Sequence, residues 1–229
     1  MPTLPAHSTC TAAERATKRD RPRSGFTLIE LVVVLGIIGI LVAIAAGSMS
    51  GWSDNQRLSS SVRTVSTAFS YARGEAIRTG DIHLVFIQTD ASSNSLATDA
   101  MVLNDGQAGS ANQNCAVDFG EATEPFSLDV GINFGVTVAT AKVPTDTGQG
   151  ALGTSSFEDA GGNPASWVMF RPEGIPLAFS SDCSTGATGT GGGGIYLTNG
   201  VRDVAVLVTP LGATRTHSWN PSGAGAWTP

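Results

Sequence analysis

One carboxylate stands alone in a long run of carbon. From Phe26 to Ala46 the only charged residue is Glu30, five positions after Gly25. The apolar stretch around it is about 20 residues long, roughly what a helix needs to cross the hydrocarbon of a bilayer. An ionisable side chain near the edge of such a span is costly and marks a functional position. A carboxylate there is tolerated mainly when a cation meets it, so the chemistry on offer is ion pairing. Upstream lie Arg15, Lys18, Arg19, Arg21 and Arg23 against Glu14 and Asp20. Basic residues beside an apolar span hold that end in the cytoplasm, which sends the larger C-terminal part across the membrane.

Read together, Arg23-Ser24-Gly25-Phe26-Thr27-Leu28-Ile29-Glu30-Leu31 resembles the processing site of type IV pilins and type II secretion pseudopilins. In that superfamily a prepilin peptidase cuts after the glycine and methylates the new N-terminal residue. The resemblance implies a cleaved leader, residues 1–25, and a methylated Phe26. It also implies that Glu30 pairs with the amine of Phe26 on a neighbouring subunit in a filament.

Loss of the leader changes the charge balance. Of 13 basic and 19 acidic residues, eight and 17 remain, a formal net charge near −9. Binding of nucleic acid through the overall field needs the opposite sign. Cys10 leaves with the leader, and Cys115 and Cys183 remain. An even pair in an oxidising compartment suggests a disulfide; two separate buried thiols are the alternative reading.

Several elements must position these groups. Leu58, Val62, Val65, Phe69, Ala72 and Ala76 step by four, three, four, three and four, which is one face of a helix. Gly80 reads as its stop. A helix over residues 27–79 is expected, its first half (26–51) for lipid or a filament core and its second (52–80) for a globular domain. Residues 81–220 read as a β-rich domain. Ile82, Leu84 and Phe86 alternate as a half-buried strand, and Met101–Leu103, Phe134–Val138, Trp167–Phe170, Ile195–Leu197 and Val201–Val208 complete the set. Asn199-Gly200 predicts a tight hairpin with positive φ at both central residues. The Gly- and Thr-rich stretches Ser184–Gly194 and Ala139–Pro164 read as a flexible loop and a surface excursion, and residues 221–229 as a loosely ordered tail.

Three short segments are similar to the GspH/FimT group of minor pseudopilins. They are Ala72-Arg73-Gly74-Glu75-Ala76-Ile77 at the helix end, Phe170-Arg171-Pro172-Glu173-Gly174 as a turn, and Gly212-Ala213-Thr214-Arg215 near the C-terminus. FimT-type proteins of natural transformation carry Gly-Arg-x-Arg at that last position. Ala213 replaces the first of those arginines, so only Arg202 and Arg215, with His217 and Trp219 for stacking, could serve a nucleic acid. An enzyme is not expected: His83 and His217 are the only histidines beyond the leader, with no Gly-x-Ser-x-Gly elbow and no close Cys-x-x-Cys pair.

The expected protein is α+β, a long N-terminal transmembrane-to-periplasmic helix packed on an antiparallel β domain. The resemblance implies a single-pass inner-membrane subunit of a type II secretion pseudopilus or type IV pilus, without cofactor or metal. Its implied partners are prepilin peptidase, other minor and major pseudopilins or pilins, and an inner-membrane assembly platform. Nucleic acid is not expected among them, and a DNA-binding minor pilin is the alternative function.

Overall fold

A computed structural model describes residues 25–87, 99–107, 114–159, 161–165, 167–179, 190–221 and 226–229, with backbone alone at 45–50, 164 and 179. Within them the chain is α+β. A single helix, α1 (Leu28–Thr79), is followed by β1 (His83–Ile87), β2 (Ala100–Asn104), β3 (Thr123–Phe126), β4 (Asn133–Phe134), β5 (Phe157–Glu158) and β6 (Pro164–Ala165). Then come β7 (Trp167–Phe170), β8 (Pro176–Phe179), β9 (Gly193–Thr198), β10 (Asp203–Val208), β11 (Thr214–Asn220) and β12 (Ala226–Thr228). Two five-stranded antiparallel sheets run β3-β2-β1-β7-β8 and β12-β11-β10-β9-β4, and β5 and β6 pair by themselves. The chain divides into two units, Met1–Gly47 and Ser48–Pro229.

In the first unit, α1 is apolar on every side. Its large side chains from Leu28 to Ile44 are 49–81% exposed. Among the described residues no helix is long and apolar enough to cross a membrane. The described apolar side chains cover 17 positions, Leu28 to Ile44, roughly 26 Å of rise, just short of the expected 20-residue span.

In the second unit the helix is striped. Leu58, Val62, Val65, Phe69, Ala72 and Ala76 are all buried. They share one cluster with Val85, Ile87, Val168 and Phe170 of the first sheet and Ile195, Leu197, Val206 and Val208 of the second. Phe69 lies at its centre, 6.2 Å from the Phe170 ring and 6.5 Å from that of Phe157. Gly80 ends the helix as expected, its N–H donating to Ala76 O at 3.0 Å.

β1 departs from the half-buried expectation, because all five of its residues are buried. Val85 and Ile87 face the helix, while Leu84 and Phe86 meet Met101, Leu103, Met169 and Cys115 behind the sheet. The second sheet is covered likewise, Ala205 and Leu207 meeting Tyr196, Trp219 and Trp227. Trp227 belongs to the tail expected to be loose. Instead β12 pairs with β11, and Trp227 lies 5.3 Å from Trp219 with its Nε1–H donating to Ala141 O.

The strand expected over Phe134–Val138 stops at Phe134. The cause is Asp203, fully buried, whose carboxylate accepts the N–H groups of Thr137, Val138 and Ala139. Those donors are thereby lost to a ladder. The hairpin after β9 also differs. Thr198 pairs with Asp203, so four residues close it rather than two. Only Gly200 has positive φ there; Asn199 instead accepts the N–H groups of Val201 and Arg202 through Oδ1.

The Ala139–Pro164 stretch is pinned rather than superficial. Val143 and Phe157 are buried, and Asp146 accepts from Tyr196 Oη (2.6 Å) and Ser156 Oγ (2.8 Å). Burial pushes the Tyr196 phenol up, and the bond to Asp146 adds to it. Lys142 Nζ donates to the carbonyls of Gly148 and Gly150. The flexible-loop reading of Ser184–Gly194 also fails over residues 191–194, which are buried; the rest of that stretch up to residue 189 lies outside the described residues. A Cβ on Gly193 would sit 2.6 Å from the Phe157 ring and one on Gly194 2.8 Å from Leu207. These glycines let β9 approach its neighbours. Gly193→Ala is therefore expected to lower stability by about 1–3 kcal/mol through overpacking, read as a lower urea midpoint with an unchanged slope.

Candidate functional site

The N-terminal group is set by a helix start. Thr27 precedes the first helical residue, and its Oγ1 accepts the Glu30 N–H at 3.3 Å while its carbonyl accepts from Leu31 at 3.2 Å. Thr27 thus caps α1, and Thr27-x-x-Glu30 has the spacing of a capping box. The sequence reading named Glu30 but missed this role of Thr27, although the Thr-x-x-Glu spacing signals it. Glu30 sits in the first turn, where the helix dipole favours a negative charge. Gly25 is exposed and nothing lies within 4 Å of where its Cβ would be; Phe26 is 84% exposed. The bond between them is open to approach, and the carboxylate is one turn away.

Of the other sequence-predicted residues, Cys115 is buried and disulfide-bonded. Its expected partner Cys183 lies outside the described residues. Arg202 and Arg215 are exposed but not neighbours. Arg202 lies just before β10 and Arg215 pairs with Leu207, five positions along that strand, a separation of roughly 16 Å. Arg202 instead joins Arg63, Asn55, Thr216 and His217 around a groove of about 380 Å³. Burial holds the His217 imidazole below its usual range, and the Arg215 charge adds to that. Trp219, expected as a stacking surface, is buried against Trp227. Arg215 and Trp219 do not line that groove.

What the fold does bring together is the helix end and two turns, after β7 and between β10 and β11. Arg73, off the apolar stripe of α1, reaches the turn after β7, and its Nε donates to Gly174 O at 3.2 Å. Gly174, at φ +75°, closes that turn with its N–H on Arg171 O. A Cβ on Gly212, in the turn between β10 and β11, would sit 2.7 Å from Gly174 O and 3.1 Å from Arg73 Nε. Arg73 therefore bonds the turn after β7 and lies close to the turn between β10 and β11. Arg171 is exposed, in keeping with a solvated loop residue. Nearby, Glu75 and Arg78 form an exposed ion pair, and burial holds His83 below the usual imidazole range.

Comparison with known proteins adds one finding. The prokaryotic N-terminal methylation motif matches residues 20–46, the segment that holds Gly25, Phe26 and Glu30. No curated protein and no solved structure matches the chain. The motif, with an N-terminal helix packed on an antiparallel β domain, supports a type IV pilin-like protein of pilus or pseudopilus systems. It supports cleavage by a prepilin peptidase, anchoring in the inner membrane and assembly with other pilins.

The clip makes its own prediction. Arg73→Ala removes a charge-assisted bond to a half-buried carbonyl, expected to cost about 2 kcal/mol. Arg73→Lys should not restore it, since the ammonium lies beyond the Nε position. Urea unfolding of the three proteins checks both statements.

Proposed function

We propose that this chain is a minor pseudopilin of the GspH/FimT type, a structural subunit that helps initiate or cap a short filament for protein secretion or pilus assembly. The observation that carries the reading is Gly25-Phe26 followed by Glu30 at the head of a helix that is apolar all round. A helix of that kind, exposed on every side among the described residues, needs lipid or other helices around it. Cleavage after Gly25 would leave Phe26 as an amine one helical turn from Glu30. In a filament core, the carboxylate of one subunit would neutralise the amine of its neighbour, which lets both charges leave water together.

The domain over residues 52–220 would then lie in the periplasm and select neighbours or cargo. Convergence of the helix end and the two turns at Arg73 supports the GspH/FimT assignment, because each segment alone is short. The work is mechanical rather than catalytic: subunits leave the membrane and pack, and no cofactor is involved. The DNA-binding alternative gains no support, since Arg202 and Arg215 stand apart and Trp219 is enclosed.

Two measurements test this. Intact mass of the protein from membranes should correspond to residues 26–229 plus one methyl group. A mass retaining residues 1–25 would sink the reading. Glu30→Ala should be processed normally yet reach sheared filaments at least tenfold less than the parent. Equal incorporation would remove the ion-pairing role.

A further inference from the structure

Asp105 is an enclosed carboxylate that the proposed function does not use. It is fully buried directly after β2. Its N–H donates to Ile82 O at 3.0 Å, and Ile82 N–H donates to Gly106 O at 2.7 Å, so its backbone is fastened to the residue just before β1. Its side chain faces residues 114–121. Oδ2 accepts the Cys115 N–H at 3.3 Å, and the Asn114 N–H also points at the carboxylate. Oδ1 is buried and without a partner among the described residues.

The charged groups around it give no help. Glu121 and Asp118, from the facing segment, are both acidic and both disfavour ionisation. They are engaged locally, Asp118 Oδ2 with Asn114 Nδ2 (2.7 Å) and Glu121 Oε2 with the Asp118 N–H (2.8 Å). Asp81, on the β1 side, takes Asn104 Nδ2 at 3.3 Å. Burial is the largest influence and pushes the Asp105 carboxyl up to about 6, against its two backbone donors. The facing segment is also held covalently. Cys115 is disulfide-bonded and packed behind the first sheet, and at φ +57° it is the one non-glycine residue with positive φ among those described.

We propose that Asp105 is a pH-driven release for residues 114–121, and that the Cys115 disulfide is the tether that keeps the segment seated once the carboxylate ionises. Protonated, Asp105 can stay enclosed, with a hydroxyl in place of a full charge. Ionised, it needs water, and water reaches it only if the facing segment lifts. The sign follows from the raised pKa. The seated form is favoured fully below the free value near 3.8 and loses that advantage as pH rises through about 6. Two pKa units correspond to about a hundredfold in the opening equilibrium, of which about 25-fold falls between pH 4.5 and 7.5. This coupling holds whichever filament the chain serves.

The test is amide hydrogen exchange of the full chain in detergent micelles, followed by mass spectrometry on peptides covering 114–121. It is run from pH 4.5 to 7.5 and corrected for intrinsic exchange rates. Tris(2-carboxyethyl)phosphine supplies the reduced state across that range. It breaks the S–S bond and ends as its oxide with oxygen from water, while the two water protons go to the two thiols. The reduced chain should lose about 25-fold in protection over this range, and the oxidised chain should show the same pH dependence from a higher protection at every pH. Asp105→Asn should flatten the reduced profile. Flat protection in the reduced wild type overturns the release. An unchanged slope in Asp105→Asn overturns the assignment to Asp105, and equal protection of the oxidised and reduced chains overturns the tether. Should Asp105→Asn not fold, the wild-type series in both redox states decides.

Discussion

The domain depends on one apolar stripe finding two sheets at once. Leu58, Val62, Val65, Phe69, Ala72 and Ala76 have only one face of α1 to offer, and side chains from both sheets enter the same cluster. The stripe changes from large to small toward its C-terminal end, and Ala72 and Ala76 are completely enclosed. Small side chains let the backbones approach closely there. That approach is what brings Arg73, one position off the stripe, within reach of the Gly174 carbonyl and the Gly212 turn. Burial sets the position of the helix, and the polar clip follows from it.

Enclosing both faces of both sheets creates a second demand. The covering segments are loops, and their backbone donors must be paired where water is excluded. Carboxylates meet much of that need. Asp203 takes three consecutive N–H groups. Asp146, with Ser156 and Tyr196, pins the long excursion to β9. Asp105 does the same for the segment carrying Cys115, but with one oxygen unpaired among the described residues. The same device is satisfied at Asp203 and incomplete at Asp105, and the pH response proposed for Asp105 rests on that difference together with its burial.

The two halves of α1 meet different requirements with one backbone conformation. In the second half, hydroxyl and charged side chains alternate with the stripe. In the first, large apolar side chains from Leu28 to Ile44 point every way and are at least 49% exposed. Thr27 caps the start and Glu30 complements the dipole, so the charged end is stable as a helix terminus. Among the described residues that apolar surface is uncovered.

By itself the sequence determined the local matters. The 3.6-residue period and Gly80 placed the second half of the helix and its end. Alternation and β-branched runs placed β1, β2, β7, β9 and β10, and Gly25-Phe26 with Glu30 marked the processing motif. These are signals between near neighbours in the chain. It did not reveal β3 and β8, whose edge positions tolerate Pro125 and Pro176, nor β12, which is held by Trp227 meeting Trp219. It misread residues 191–194 as loop, because glycine looks the same whether it supplies freedom or clearance. Only the tertiary structure decided that Trp219 is enclosed, that Arg202 and Arg215 stand apart, and that Arg73 bonds one distant turn and lies close to another. Each depends on which atoms meet across more than a hundred residues or across a sheet, and packing sets that rather than spacing.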